Sequence, residues 1–306
     1  MISKKILKSI RVPPGEAVQL ADYATDWDFH PELVKLGKEQ VREAAGQILA
    51  ENQKALAEAQ ELLWASDTWS VLVVLQAMDA AGKDGIIKHV MSGINPQGCQ
   101  VFSFKVPSAE EVDHNFLWRY MRALPERGRI GIFNRSYYED VLVVRVHPEI
   151  LERQRLPVRK FDRKFWDARY DDINRFERHL VRNGTMVLKF FLHISKDEQR
   201  RRFIDRLEDP EKHWKFSLGD LGERQHWDAY QEAYQDALNA TSTKWAPWYV
   251  IPSDLKVTAR ALVSEVMVSR IGKLKLDYPE VSGDVEQRLA DALRALRAEA
   301  TKGDHA

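Results

Sequence analysis

The sequence is poor in cysteine, in long apolar runs and in net charge, and each shortage removes a class of protein. Cys99 is the single cysteine in 306 residues. Neither a disulfide framework nor a multi-thiolate metal site can form within one chain, and a reducing, cytoplasmic setting is expected. The longest apolar runs, Val71 to Leu75 and Val187 to Ile194, are strand-length and fall far short of the roughly 20 residues that span a bilayer, so no membrane partner is expected. Met1 to Lys8 carries early positive charge, but Arg11-Val-Pro-Pro-Gly follows in place of an apolar core, so no signal peptide is expected either. With 46 Lys+Arg against 46 Asp+Glu, the chain lacks the basic surplus of a protein that coats nucleic acid, and no nucleic-acid partner is expected. There is no H-E-x-x-H helix, G-x-S-x-G elbow, G-x-G-x-x-G dinucleotide loop or internal repeat, and His89, His114, His147, His179 and His193 are scattered.

What is present is enough apolar residue, 44%, for one large core. Residues 1–29 hold Pro13-Pro-Gly and no sustained period, which predicts an extended arm. Pro31 to Ala65 reads as one long helix with Leu33, Leu36, Ala44, Ile48, Leu56 and Leu63 near helical spacing. From Ser70 the period changes. Ser70 to Ala77, Cys99 to Phe104, Ile130 to Phe133, Met186 to His193 and Trp248 to Ile251 are apolar segments of strand length separated by helix-like stretches, which predicts an α/β fold with five strands. Ser108 with Glu111 is a capping box expected to open a helix carrying Phe116 to Met121, and Ser195 with Glu198 one expected to open the helix of Arg200 to Leu207. The polar, Pro- and Gly-containing segment Glu208 to Asp220 joins two helices and suits a lid, placed at about 200–222. Residues 30–275 form the single domain expected, followed by an amphipathic helix and polar tail over 276–306, suited to surface docking or contact with a second copy.

Chemistry concentrates where strands end. Val71 to Met91 reads strand, loop, helix, with Asp79-Ala-Ala-Gly82-Lys83 at the turn. A glycine there lets backbone N–H groups face phosphate oxygens, the helix adds its positive end, and a lysine neutralises charge that spreads during transfer. Against G-x-x-x-x-G-K-[ST], Ala77 stands first and Asp84 follows Lys83, so the Mg²⁺-binding hydroxyl is missing. Asp79 supplies a carboxylate instead, able to hold Mg²⁺ or orient an acceptor phosphate. A second strand ends in Asn134-Arg135-Ser136-Tyr137-Tyr138-Glu139-Asp140, at the edge where open α/β sheets bind ligands. Asn134 and Ser136 as a helix cap, with Arg135 as a surface ion-pair partner, is the structural alternative. In Gln199 to Arg206, Arg202 and Arg206 share a helix face and could close over phosphates or simply be solvated. Six basic residues and one acid lie between Arg153 and Lys164, a candidate anion track. Packing is the expected role of Trp118, Trp166, Trp214 and Trp227.

Taken in order, Leu75-Gln-Ala-Met-Asp-Ala-Ala-Gly-Lys-Asp-Gly, Asn95-Pro-Gln-Gly, Phe116-Leu-Trp-Arg, Phe133-Asn-Arg-Ser-Tyr-Tyr, Lys189-Phe-Phe-Leu-His-Ile-Ser-Lys-Asp-Glu-Gln, Trp214-Lys-Phe and Ala246-Pro-Trp resemble the type 2 polyphosphate kinase family over roughly residues 10 to 275. The resemblance implies a three-layer P-loop kinase fold related to thymidylate kinases, with a five-stranded parallel sheet and a helical lid. It also implies phosphoryl transfer between inorganic polyphosphate and AMP, ADP or ATP, dependence on Mg²⁺ with Mn²⁺ as its substitute, and a homo-oligomer. Carried over by position, Asp79 and Lys83 match the Walker A-like pair, and Asn134 and Arg135 the Walker B-like Asp-Arg. The amide at Asn134 replaces a carboxylate, so Asp79 and Asn134 are the expected metal pair, with Glu139 or Asp140 helping through water. Asn134 followed by Glu139 resembles the subgroup accepting both AMP and ADP. The lid arginine falls on Arg202 or Arg206. Ala80, Ala81, Gly82, Asp84, Gly85, Lys88 and Glu139 complete the expected nucleotide- and phosphate-binding set. An ATP-using kinase on the same fold and a non-catalytic polyanion-binding module are the competing readings.

Overall fold

Five apolar segments become strands because their residues are buried on both faces. In the computed structural model, which describes residues 2–158 and 160–303, these are β1 (Ser70–Ala77), β2 (Cys99–Ser103), β3 (Ile130–Asn134), β4 (Thr185–His193) and β5 (Trp248–Pro252). All residues of β1 and β5 are buried, as a parallel sheet covered by helices requires. The sheet order is β2-β3-β1-β4-β5 and every pairing is parallel. β1 therefore sits centrally, and the carboxyl ends of β1, β3 and β4 open side by side into the crevice where such sheets bind ligands.

Two helix groups flank the sheet. Lys38–Ser66 packs against Lys256–Ile271, which also meets Lys83–Val90, while Arg163–Arg182 lies on β4 and pairs with Trp227–Thr241. The long N-terminal helix predicted from Pro31 is divided. Pro31–Leu36 stops at Gly37, whose φ of 83° breaks the helical path before Lys38. Its buried stripe is Val41, Ala45, Asn52, Leu56, Gln60 and Leu63, while Leu36 stays exposed. Asn52 fits that stripe by donating to Ser264 Oγ at 3.0 Å and Glu265 Oε2 at 3.2 Å across the helix seam.

The N-terminal arm contains a helix, Lys4–Ser9, capped by Ser3. Ile6, Ile10 and Val12 then enter the core, and Val12 and Ile10 exchange backbone hydrogen bonds with Trp248 and Val250 of β5. Ser108 and Glu111 do form a reciprocal capping box, but the helix it opens ends at Asp113, and Phe116 to Met121 are reached only through a new start where Asn115 Oδ1 accepts from Leu117 N–H. Ser195 caps Lys196–Glu208 as predicted. The helix Gly283–Gly303 leaves Val285, Leu289, Leu293 and Leu296 exposed. No helix among the described residues is long and apolar enough to cross a membrane.

Candidate active site

The loop between β1 and Lys83–Val90 is shaped from beneath by one helix. Gln199 Nε2 donates to the Asp79 carbonyl at 3.0 Å, and Arg202 Nη1 donates to the Ala80 and Ala81 carbonyls, both at 2.9 Å. Because the peptide unit is planar and trans, carbonyls drawn to one side turn the following N–H groups, those of Ala80 and Gly82 among them, toward the other. Gly82, at φ 113°, caps the helix in a conformation that favours glycine. Ala80 holds φ 62° without that freedom, so the grip on its carbonyl matters. Arg202 is 5% exposed and spends every N–H group: besides the two loop carbonyls, Nε reaches Glu198 Oε1 at 2.8 Å, and Nη2 reaches the Ser253 and Asp254 carbonyls at 2.6 and 3.0 Å. Both Arg202 and Arg206, one turn on, line the cavity, but Arg202 is a fixed brace with no N–H group left to offer a ligand.

The fold brings Lys83, Asp79 and Arg135 together. The Lys83 ammonium donates to the Ala77 carbonyl at 3.0 Å. Burial, joined by the nearby Arg135 charge, pulls its pKa down to about 8 against the opposing pull of Asp79, Glu139 and Asp84. Arg135 Nη2 meets Asp79 Oδ1 at 2.8 Å and Nη1 meets Glu139 Oε2 at 3.2 Å, and Glu139 holds the guanidinium protonated above its ordinary range. Arg135 has φ 67°, a left-handed turn that swings its side chain from the end of β3 across to β1. Asp140 turns the other way. It is held by Gln154 at 2.9 Å and Arg169 at 3.6 Å, burial raises its pKa to about 6, and it does not line the cavity.

Asn134 Nδ2 donates to Asp84 Oδ1 at 2.8 Å and to Ser103 Oγ at 3.4 Å. The carboxylate that Asn134 lacks is thus present one bond away, on the first turn of Lys83–Val90. Mg²⁺ takes one or two carboxylates together with substrate phosphates and waters, not a closed protein cage. The set here fits that chemistry: Asp79 and Asp84 line one cavity with the phosphate loop, and among the described residues no cluster of three His, Cys, Asp or Glu forms a cage.

The cavity measures about 670 Å³, and nine Lys or Arg face four Asp around it. Lys105, Lys212, Lys215, Lys256 and Arg260 belong to this wall and were not singled out in the sequence. Lys88 is exposed on the helix and does not line it, and neither do the described residues of Arg153 to Lys164, of which Arg159 lies outside the described residues. Arg155 instead pairs with Asp113. Lys196–Glu208, the 3₁₀ turn Pro210–Lys215 and Leu218–Gln225 each contribute to the cavity wall. Arg206 is held there by the Lys215 carbonyl at 3.3 Å and by Asp220, 3.7 Å away. Trp227 is buried as expected, but Trp214 is 79% exposed on the cavity rim with Lys215 Nζ 4.9 Å from its ring. An aromatic flanked by lysines inside a polar, Pro-bounded loop was the available signal.

Comparison with known proteins agrees with this geometry. Residues 39–279 match the family described as Polyphosphate kinase 2 (PPK2). The chain is 53% identical to an ADP-polyphosphate phosphotransferase of Rhodopseudomonas palustris, over 90% of this chain and 93% of that protein. It is 49% identical to an AMP/ADP-polyphosphate phosphotransferase of Meiothermus ruber, over 78% of this chain and 85% of the other. The crystal structure of Polyphosphate Kinase 2 from Arthrobacter aurescens TC1 superposes with a TM-score of 0.81 at 40% identity, covering 93% of this chain and 95% of that one.

Proposed function

The chain belongs to the polyphosphate kinase 2 family, and from that premise we propose how its P-loop kinase site moves a phosphoryl group between inorganic polyphosphate and AMP or ADP. The observation that carries the reading is the meeting of Lys83, Asp79 and Arg135 in one strongly basic cavity at the carboxyl edge of the sheet. A terminal phosphate oxygen of the nucleotide attacks the end phosphorus of the polyphosphate, and the bridging oxygen leaves with the shortened chain. No covalent enzyme intermediate is needed.

In this reading the loop amides and Lys83 hold the transferring phosphoryl group. Arg135, aimed by Asp79 and Glu139, and Arg206 on the lid meet the charge that develops on it. Arg202 shapes the loop without touching substrate. The polyphosphate chain runs along Lys105, Lys212, Lys215, Lys256 and Arg260, and the base of the nucleotide stacks on Trp214. Members of the family depend on a divalent cation. Here Mg²⁺ or Mn²⁺ would be held by Asp79 and Asp84 with the Asn134 carboxamide oxygen, neutralising phosphate charge. Both acceptors are expected because relatives named for ADP and for AMP/ADP align along most of the chain. The free thiol of Cys99 suits the cytoplasm, and the exposed apolar stripe of Gly283–Gly303 supports a homo-oligomer.

The test is ATP formation by purified protein from polyphosphate with ADP or AMP and Mg²⁺, beside Lys83→Ala. ATP from both acceptors, lost in the variant, is expected. No nucleotide product at any polyphosphate concentration would sink the proposal and return the ATP-using kinase and the polyanion-binding module.

A further inference from the structure

Beneath the Arg135 turn lies a charged cluster that touches no substrate-facing surface. Lys189 stands in the middle of β4 and Glu177 on Arg163–Arg182, and neither side chain is exposed at all. The ammonium directs its three N–H groups to Glu177 Oε2 at 2.7 Å, Tyr138 Oη at 2.9 Å and the Thr241 carbonyl at 2.7 Å. Glu177 Oε1 also accepts from Tyr137 Oη at 2.9 Å and Tyr138 Oη at 2.8 Å. Every partner is satisfied. A hydrophobic pair of equal volume would join strand to helix at least as well as a buried ion pair, so the location of the cluster calls for a reason beyond stability.

The cluster reaches Arg135 through the turn that follows it. Tyr137 and Tyr138 open the 3₁₀ turn Tyr137–Val141, which also carries Glu139, the partner of Arg135 Nη1. Gln76, at the end of β1 and fully buried, closes the other side. With its amide oriented by its partners, it donates to Glu139 Oε1 at 2.8 Å and accepts from Ser136 N–H and Oγ at 3.0 Å. A non-glycine residue at φ 67° persists only where its surroundings over-determine it. We propose that Lys189 and Glu177 are positioning residues: by fixing the hydroxyls of Tyr137 and Tyr138 they lock the 3₁₀ turn, and so aim the Arg135 guanidinium into the cavity. Lys189 suits the role because its ammonium supplies one donor to each of three elements, the turn, the helix and the end of Trp227–Thr241.

The inference rests on the phosphotransferase reading, and its test separates the two. Tyr138→Phe, Lys189→Met and Glu177→Gln are compared with Val266→Ala, a buried change on Lys256–Ile271 at a residue that is neither a hydrogen-bond partner in the cluster nor part of the cavity lining. Steady-state kinetics with ADP and polyphosphate are measured at a temperature where circular dichroism shows each variant folded. Tyr138→Phe removes one oxygen and carries the test should the charge variants not fold. In the cluster variants kcat is expected to fall about 100-fold, with both KM values held within about twofold, the pattern of a lost transition-state interaction. Val266→Ala is expected to leave kcat near the parent value. Parental kcat in a folded cluster variant, or an equal fall in Val266→Ala, overturns the positioning role while the phosphotransferase stands. An inactive parent overturns the phosphotransferase reading itself.

Discussion

Arg202→Ala and Arg206→Ala, four residues apart on one helix, should separate stability from catalysis. Removing Arg202 strips the Ala80, Ala81, Ser253 and Asp254 carbonyls of a donor and leaves Glu198 with one partner fewer. Breaking a buried, fully bonded charge in this way costs about 3–5 kcal/mol. Unfolding entropy of about 2.1 cal/mol/K per residue amounts to roughly 0.6 kcal/mol/K for 306 residues, so Tm falls by about 5–8 °C. Arg206 has a partly exposed partner, Asp220, 3.7 Å away, a pair worth about 0–1 kcal/mol, and its removal lowers Tm by less than about 2 °C. Its cost appears in kcat, which should drop by about 10³-fold if the guanidinium meets transition-state charge. Arg202→Lys keeps the charge without the fork and falls between parent and Arg202→Ala in stability. Calorimetry with single-turnover kinetics reads both quantities. Parental Tm in Arg202→Ala, or parental kcat in Arg206→Ala, would refute the division of labour.

Other consequences follow from neighbouring groups. Lys83 titrates at about 8 in the free site, so kcat/KM for polyphosphate should decline above about pH 8, and Lys83→Arg should move that limb upward; a parental profile flat to pH 9.5 contradicts it. The folded chain binds fewer protons than the unfolded one between about 8 and the ordinary lysine value of 10.5, so this group makes stability rise with pH across that window and penalises folding in full below it. Asn134→Asp sets a second carboxylate beside Asp84; Tm without divalent cation should fall and Mg²⁺ should restore it in a fluorimetric titration, and no recovery argues against a cation between them. Trp214→Ala should raise KM for AMP and ADP by about 5- to 150-fold, the worth of one stacked base, with polyphosphate KM little changed and Trp214→Phe near parental. Equal effects on both substrates would remove the stacking role.

Much of this was legible because burial writes itself into strands. β1 and β5 are buried on both faces, so each read as an unbroken apolar run, and the residues closing β1 and β3 are the ones at the site. Local signals failed where distant partners decide. Leu36 fits a helical period, yet Gly37 ends the helix before the period can be used. Arg202 and Arg206 are indistinguishable in sequence, and only the carbonyls arriving from the phosphate loop and from Ser253 and Asp254 make one a brace. Lys189 interrupts an apolar strand without revealing that Glu177 and the tyrosines will close around it. Lys105, Lys212 and Lys256 come from separate segments, and no single stretch shows the surplus they form together.

The brace at Arg202 also couples segments that lie far apart in the sequence. Its guanidinium joins carbonyls next to β1, early in the chain, to carbonyls just after β5, near the end, with the N-terminal arm threaded against β5 as well. The phosphate loop and the end of the last strand are thereby held by one guanidinium, so a disturbance at either is felt at the other. The edge strand β5 is thus one side chain away from the phosphate loop, and the residues just beyond it, Lys256 and Arg260, line the same cavity.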